Sequence, residues 1–273
     1  MLNFVLYGFL WALSFLAFFL LLPSRPRYFL TVLAIFKNEE MTLETWLRHY
    51  VEQGVDHIVL VDNNSTDSSA RQLEPWIERG LVSYHFAPEK HKQMAHIQSA
   101  IAGERLKQRT EWLVVCDIDE FFFGTRSSLA STLRQYHTQY DVVYSHWLIF
   151  GFNHHVQHPI DVRIANTLRR AGLDECKKYI IRPAKVDMTK LRVHIAEYPT
   201  RMAHRVFVED DLIHLNHYRL QSFNYYNKSK MTRGDVLEAG LDSLRSWDYF
   251  NSWNANTTFQ DELLKNIAIG GYK

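Results

Sequence analysis

The chain has 273 residues, with 31 Lys and Arg against 30 Asp and Glu, a formal charge of +1, 47% hydrophobic residues and 14% aromatic ones. That length gives one large domain or two small ones, enough to bury a full core. The balanced charge excludes broad nucleic-acid binding, the apolar content excludes a disordered chain, and the two cysteines, Cys116 and Cys176, exclude a disulfide framework.

No charged side chain precedes Arg25, and residues 1–22 are almost wholly apolar. Twenty-two residues at a helical rise of 1.5 Å span about 33 Å, enough to cross a hydrocarbon core of about 30 Å. Pro23 and Pro26 stop the helix. The stretch lacks a basic start and a small-residue cleavage site, so it reads as a retained membrane anchor over residues 1–24 and not as a signal peptide. Arg25 and Arg27 flank only its far end, which places the following domain, residues 28–273, in the cytoplasm. A Golgi-lumenal domain is the alternative. Two overlapping glycosylation sequons, Asn63-Asn64-Ser65-Thr66, fall in a loop assigned below to a ligand pocket, where a glycan would obstruct binding.

Residues 28–36 form an apolar run of strand length. Residues 39–53 read as a helix with Trp46, Leu47, Tyr50 and Val51 on one stripe, stopped by Gly54. Residues 57–61 are a second buried strand and 63–69 a polar loop. A helix over 70–79, a strand over 82–86, a helix over 92–107 and a strand over 112–116 follow. Strand and helix thus alternate four times, the pattern of a mostly parallel sheet covered on both faces. Beyond Phe123 the alternation fails. Helices are expected over 128–136, 221–233 and 258–268, a strand pair over 141–150, and short strands over 178–182 and 205–208, as α+β decoration of the first sheet.

Ligands of such sheets bind beyond the carboxyl ends of the strands. Three polar clusters fall there: Lys37-Asn38-Glu39-Glu40, Asp62 to Asp67, and Asp117 to Glu120. Val114-Val115-Cys116-Asp117-Ile118-Asp119-Glu120-Phe121 is an apolar strand running into three carboxylates. In an extended segment residues i and i+2 point the same way, so Asp117 and Asp119 are expected to face one ion. Hard oxygen donors suit Mg²⁺ or Mn²⁺ together with substrate phosphates. Such an ion offsets the charge that grows on a nucleoside diphosphate leaving group. A D-x-D after a strand also resembles the opening motif of haloacid-dehalogenase-like phosphatases, but that motif carries Thr or Val where this chain has Phe121.

Several ordered segments carry a stronger resemblance. They are Ile35-Phe36-Lys37-Asn38-Glu39, Trp46-Leu47-Arg48-His49-Tyr50, Gly54-Val55-Asp56-His57, Asp62 to Asp67, Trp112 to Phe121, Trp147 to Gly151, Lys178 to Pro183 with His194 after it, and Asn216-His217-Tyr218-Arg219 followed by Lys228, Lys230 and Arg233-Gly234. Over roughly residues 30–235 the chain resembles glycosyltransferases of family 92. The resemblance implies an α/β GT-A fold, inverting transfer, a nucleotide-sugar donor with a UDP-sugar favoured, and a Mn²⁺ or Mg²⁺ cofactor. It also implies that Asp62 contacts the base or ribose of the donor, with Asn38 and Glu39 beside it. The alternative for Asp62 and Asp67 is turn and cap chemistry.

Gln93 opens a helix after His91 and Lys92, and helix N-termini attract anions, so it joins the donor-binding candidates. Lys178 and Arg182 are candidates for the diphosphate, with an ordinary strand pair as the alternative. The resemblance implies a third metal ligand near the C-terminal block, and His217 is the candidate, ahead of His214. Inverting transfer needs a base to take the acceptor proton. Glu120 and Asp161 lead the candidates, followed by Asp174, Glu175 and Glu197. His154 and His155 are candidates for the acceptor, and Trp147, Phe150 and Phe152 for stacking on a sugar or packing the core. The expected partners are a nucleotide-sugar donor, a glycan or lipid-linked acceptor and the membrane, with no nucleic acid. Two rival functions remain: a metal-dependent phosphohydrolase or nucleotidyltransferase, and a non-catalytic sugar-nucleotide-binding module.

Overall fold

A computed structural model describes residues 26–136, 139–232 and 245–272. The expected anchor lies outside these, and among the described residues no helix is long and apolar enough to cross a membrane.

The first strand, β1 (Tyr28–Phe36), alternates its side chains between two cores. Leu30, Val32, Ala34 and Phe36 pack on one face against Leu43, Trp46, Leu47 and Tyr50 of the helix Leu43–Glu52. Leu33 packs on the other face with Ile97, Ala100 and Ile101 of the helix Gln93–Gly103. Parallel neighbours β2 (His57–Asp62), β3 (Val82–Phe86) and β4 (Thr110–Val115) complete the first half. Both faces being covered explains the near-continuous apolar runs.

The second half continues the same sheet. β5 (Glu120–Gly124), β6 (Val142–Ile149), β8 (Lys177–Ile181), β9 (Val206–Val208) and β10 (Ile213–His217) join it, while β7 (Leu168–Arg169) pairs separately with β11 (Phe259–Gln260). The order is β3-β2-β1-β4-β8-β6-β10-β5, nine strands with β9 also pairing β6. β8 is antiparallel to β4 and to β6, and β10 is parallel to β6. The result is a mixed sheet flanked by helices, similar to the expected GT-A arrangement.

Several boundaries differ from the sequence pattern for identifiable reasons. The first helix starts at Leu43, not residue 39, because Asn38 turns the chain with a positive φ of 54°. The expected helix over 70–79 is two pieces, Ser69–Gln72 and Glu74–Glu78, since Pro75 has no N–H to continue the ladder. The helix over 92–107 breaks at Arg105, which has φ 54°. The strand pair expected over 141–150 is the single strand β6. Residues 221–233 give one helical turn, Phe223–Tyr225, and a π-helical turn, Tyr226–Lys230. β5, β10 and the helix Trp247–Asn254 had no counterpart in the pattern.

Candidate functional site

The topology brings the ends of β1, β4, β6 and β10 and the start of β5 to one edge. There a cavity of about 260 Å³ is lined by Lys37, Glu39, Asn63, His91, Lys92, Gln93, Asp117, Ile118, Asp119, Trp147, Val193, His194, His217, Arg219, Lys230 and Arg245, with Ile35 and Phe36 at its back. Of the candidates named from sequence, Glu39, Gln93, Asp117, Asp119, Trp147 and His217 meet in its wall.

The acidic loop is a turn, not an extended segment. Glu120 N–H donates to Asp117 O at 3.1 Å, and Asp117 N–H donates to Glu120 Oε2 at 2.8 Å. The i, i+2 rule therefore does not hold across it, and the two aspartates point to different lysines. Asp117 Oδ2 accepts from Lys178 Nζ at 3.0 Å, and Asp119 Oδ2 accepts from Lys230 Nζ at 2.5 Å. Burial works to raise both carboxyls, but Lys178 holds Asp117 below the usual range, and Lys230 and His217 hold Asp119 well below it. Trp46 fixes the loop from beneath, its indole N–H donating to Asp117 O at 3.2 Å and Glu120 O at 3.1 Å. Tyr50 OH donates to Glu120 O at 3.0 Å.

His217 ends β10, and its Nε2 stands 3.4 Å from Asp119 Oδ2. Burial pushes this imidazole down to about 4, so it is neutral with a lone pair to offer. Trp147 packs on the ring at 4.3 Å, while Nδ1 is buried with no hydrogen-bond partner among the described residues, so packing and strand register hold the ring. Among the described residues no three His, Cys, Asp or Glu side chains form an assembled metal cluster. Asp119 and His217 nevertheless fit a divalent ion. A carboxylate oxygen and a neutral imidazole nitrogen 3.4 Å apart have the spacing of neighbouring ligands on one ion. Mg²⁺ and Mn²⁺ sites draw their remaining ligands from water and substrate phosphates. Asp117 borders the same cavity from its pair with Lys178.

Other candidates stand elsewhere. Glu120 is fully buried behind the loop and Lys178 is buried beneath it; neither lines the cavity. Burial pushes the Glu120 carboxyl up to about 8, and its Oε1 has no hydrogen-bond partner among the described residues. It braces the turn instead of facing an acceptor. Asp161 caps the helix Val162–Ala165 and pairs with Arg163 at 2.7 Å, outside the cavity wall. Arg182 pairs with Glu111 at 2.8 Å and stacks on Trp112. Asp62 closes its own turn by accepting from Ser65 N–H at 2.7 Å and Tyr84 OH at 2.9 Å, and Asn38 accepts from Thr66 N–H at 2.8 Å. Turn chemistry, the alternative weighed for Asp62, thus occupies its side chain. Asp67 likewise accepts from Glu40 N–H and Ser69 N–H.

His194, Arg219 and Lys230 fall in the segments that carry the family resemblance, but no role is read for them from the sequence, and Arg245 lies outside those segments. Arg219 lies over Trp253 at 4.0 Å and donates to Tyr249 OH. Lys230 and Arg245 bracket the segment 233–244, which is outside the described residues. His194 donates Nδ1–H to Lys177 O at 3.2 Å, and burial lowers its pKa, leaving a neutral ring at the cavity. Periodicity marks none of these residues, because they lie in loops or at the end of a short helical turn.

Among curated proteins no sequence matches this chain. In structure it is similar to S. aureus TarS residues 1–349, with 13% identity, a TM-score of 0.44, and coverage of 89% of this chain and 72% of that one. The same fragment in complex with UDP-GlcNAc aligns over 88% of this chain and 73% of that one, at 13% identity and TM-score 0.44. GalNAc-T7 with UDP, GalNAc and Mn²⁺ aligns over 71% of this chain and 44% of that one, at 13% identity and TM-score 0.38. The model of glycosyltransferase family 92 matches residues 31–267, and the chain belongs to that family of glycosyltransferases.

Proposed function

We propose that this glycosyltransferase moves a sugar, with inversion, from a nucleotide-sugar donor, a UDP-sugar by preference, to a hydroxyl of a glycan or lipid-linked acceptor. The observation that carries it is the cavity itself, whose wall combines acidic Asp117 and Asp119 and neutral His217 with basic Lys92, Arg219, Lys230 and Arg245. A nucleoside diphosphate needs both. Its oxygens meet the basic side chains and the N-terminus of the helix Gln93–Gly103, whose first residue lines the cavity. Asp119 and His217, with Asp117 beside them, would hold a divalent cation, which would offset the charge developing on the leaving diphosphate. Glu39, held by Tyr225 OH at 2.8 Å, and Asn63 border the nucleoside end. Trp147 offers an apolar wall to the sugar.

In place of Glu120 and Asp161, the proton acceptor is His194. Its Nδ1–H is committed to Lys177 O, so Nε2 carries the lone pair that takes the acceptor's proton. The apolar residues 1–22 anchor the enzyme in a membrane with this domain on the cytoplasmic side, on the basis of Arg25 and Arg27.

The test is product analysis. Purified full-length chain is incubated with UDP-sugars, Mn²⁺ and a hydroxyl acceptor, with and without chelator. Sugar joined to acceptor with inverted anomeric configuration, lost with chelator and in Asp119→Ala, is the expected result. Release of sugar phosphate or nucleoside monophosphate without transfer overturns the proposal in favour of a phosphohydrolase.

A further inference from the structure

Asp119 Oδ2 has two partners. Lys230 Nζ lies 2.5 Å from it and His217 Nε2 lies 3.4 Å from it. The Lys230 and Asp119 side chains are 3% and 4% exposed, so this is a buried pair and not a surface contact. It coincides with the atom that a divalent ion needs. An ion bound to Oδ2 at about 2.1 Å would stand within about 4.6 Å of the ammonium if Lys230 stayed, and like charges at that range in a poorly solvated site repel strongly.

The two lysines of the loop are not equivalent. Lys178 is 1% exposed on β8 and bridges Asp117 at 3.0 Å and Glu120 at 3.4 Å, locked by strand pairing on both sides. Lys230 ends a single π-helical turn, Tyr226–Lys230, and its side chain reaches the cavity over the Tyr225 ring. A tethered ammonium on a flexible four-carbon stem can change partner by rotation about its own side chain. An anion bound in the cavity can receive it, and the diphosphate of the donor is such an anion.

We infer that Lys230 is the resident counter-ion of the cation position at Asp119, and that it passes to the donor's diphosphate when metal binds. The inference rests on the metal-dependent, nucleotide-sugar reading above. Its consequence is that metal and nucleotide bind cooperatively. Metal alone has to displace a buried ammonium from its carboxylate, whereas metal with diphosphate brings an anion to receive that ammonium. By linkage, each ligand tightens the other by the same factor.

The experiment measures Mn²⁺ binding to the full chain from the electron paramagnetic resonance of free Mn²⁺, with and without UDP, corrected for Mn²⁺ held by UDP in free solution. In the unmodified enzyme, UDP is expected to tighten Mn²⁺ binding by about tenfold or more. In Lys230→Met, Mn²⁺ alone binds about tenfold more tightly than in the unmodified enzyme, and the enhancement by UDP shrinks to about threefold or less. Circular dichroism and a thermal melt confirm that the variant is folded, and Lys230→Gln serves as a second neutral replacement. If UDP leaves Mn²⁺ affinity in the unmodified enzyme unchanged, or if neither folded variant binds Mn²⁺ more tightly alone, the inference is overturned while the metal site stands. Absence of Mn²⁺ binding in every protein, with UDP present, overturns the metal site and the inference together.

Discussion

Replacing Lys178 by methionine removes a charge while keeping most of the side chain's length. Its ammonium is 1% exposed and lies 3.0 Å from Asp117 Oδ2 and 3.4 Å from Glu120 Oε2. At 3.0 Å and an effective dielectric near 20, the pair attraction to Asp117 is about 5.5 kcal/mol. The Asp117 side chain is 36% exposed, so water screens part of that and resolvates the carboxylate once the lysine is gone. Glu120 has no such relief, being fully buried. Its carboxyl, pushed up to about 8 by burial, largely holds a proton at neutral pH, and that spares it most of the cost of losing the lysine. Breaking a buried pair by deleting one partner costs about 3–5 kcal/mol, and the two escapes place Lys178→Met near the lower end, about 3 kcal/mol. For a domain of this size that lowers Tm by roughly 6–12 °C. Urea denaturation at pH 9 and at pH 6 supplies the assay. The loss should shrink at pH 6, where Glu120 is protonated in both proteins, and at pH 9 Glu120→Gln in the Lys178→Met background should restore part of it. A loss below about 1 kcal/mol that does not change with pH would mean that the loop's charges are solvated, and the account of a buried acidic turn given above would be wrong.

Three further outcomes are expected. Trp46→Phe keeps the ring in the core but withdraws the donor to Asp117 O and Glu120 O, so two carbonyls lose a bond; stability should fall by about 1–3 kcal/mol in urea titrations, with a larger proportional fall in transfer rate. His49 is fully buried, donates Nε2–H to Phe122 O, and has its pKa pushed by burial from 6.5 down to about 3. The unfolded chain therefore binds the extra proton first, and stability present above pH 6.5 is lost as pH falls; at pH 5 the loss from His49 alone is about 2 kcal/mol, and His49→Gln should flatten that slope by one proton. His194→Asn should lower kcat by about 10²–10⁴ while leaving donor affinity in isothermal titration unchanged; an unchanged kcat would remove His194 from the proton-transfer role.

The first half of the fold was legible because both faces of its parallel strands are covered. Val32, Leu33 and Ala34 are all apolar, and β1, β2 and β3 are each followed by a helix before the next strand. The second half was not, for the reason that its strands pair at long range. β10 carries His and Asn between its apolar residues because His214, Asn216 and His217 sit at the sheet's functional edge and along its antiparallel seam with β5. Phe121 closes the acidic motif in the sequence, yet Phe121, Phe122 and Phe123 are all buried in a strand of their own. At the site, the acidic members were visible as a local motif. Arg219 and Lys230 stand in the resembling block without a role, and Arg245 outside it, because a cation in a loop has no periodicity to mark it. The direction of Asp117 and Asp119 was lost for a different reason: a three-residue turn, closed by the Glu120 carboxylate, replaces the extended geometry that the neighbouring strand suggested.

The hold that Trp46 and Tyr50 exert on the acidic loop has a consequence for its exchange with solvent. Both rings are fully buried in the core, and Tyr50 OH also receives the N–H of Phe122. Peeling the loop away means withdrawing two aromatic side chains from between sheet and helix, a move that disassembles the core with it. The loop therefore belongs to the slowest-opening unit of the molecule, unlike most ligand-binding loops. Amide hydrogens at Glu120 and Phe122 should exchange only through global unfolding, and the carboxylates that face the cavity keep their positions until the fold itself is lost.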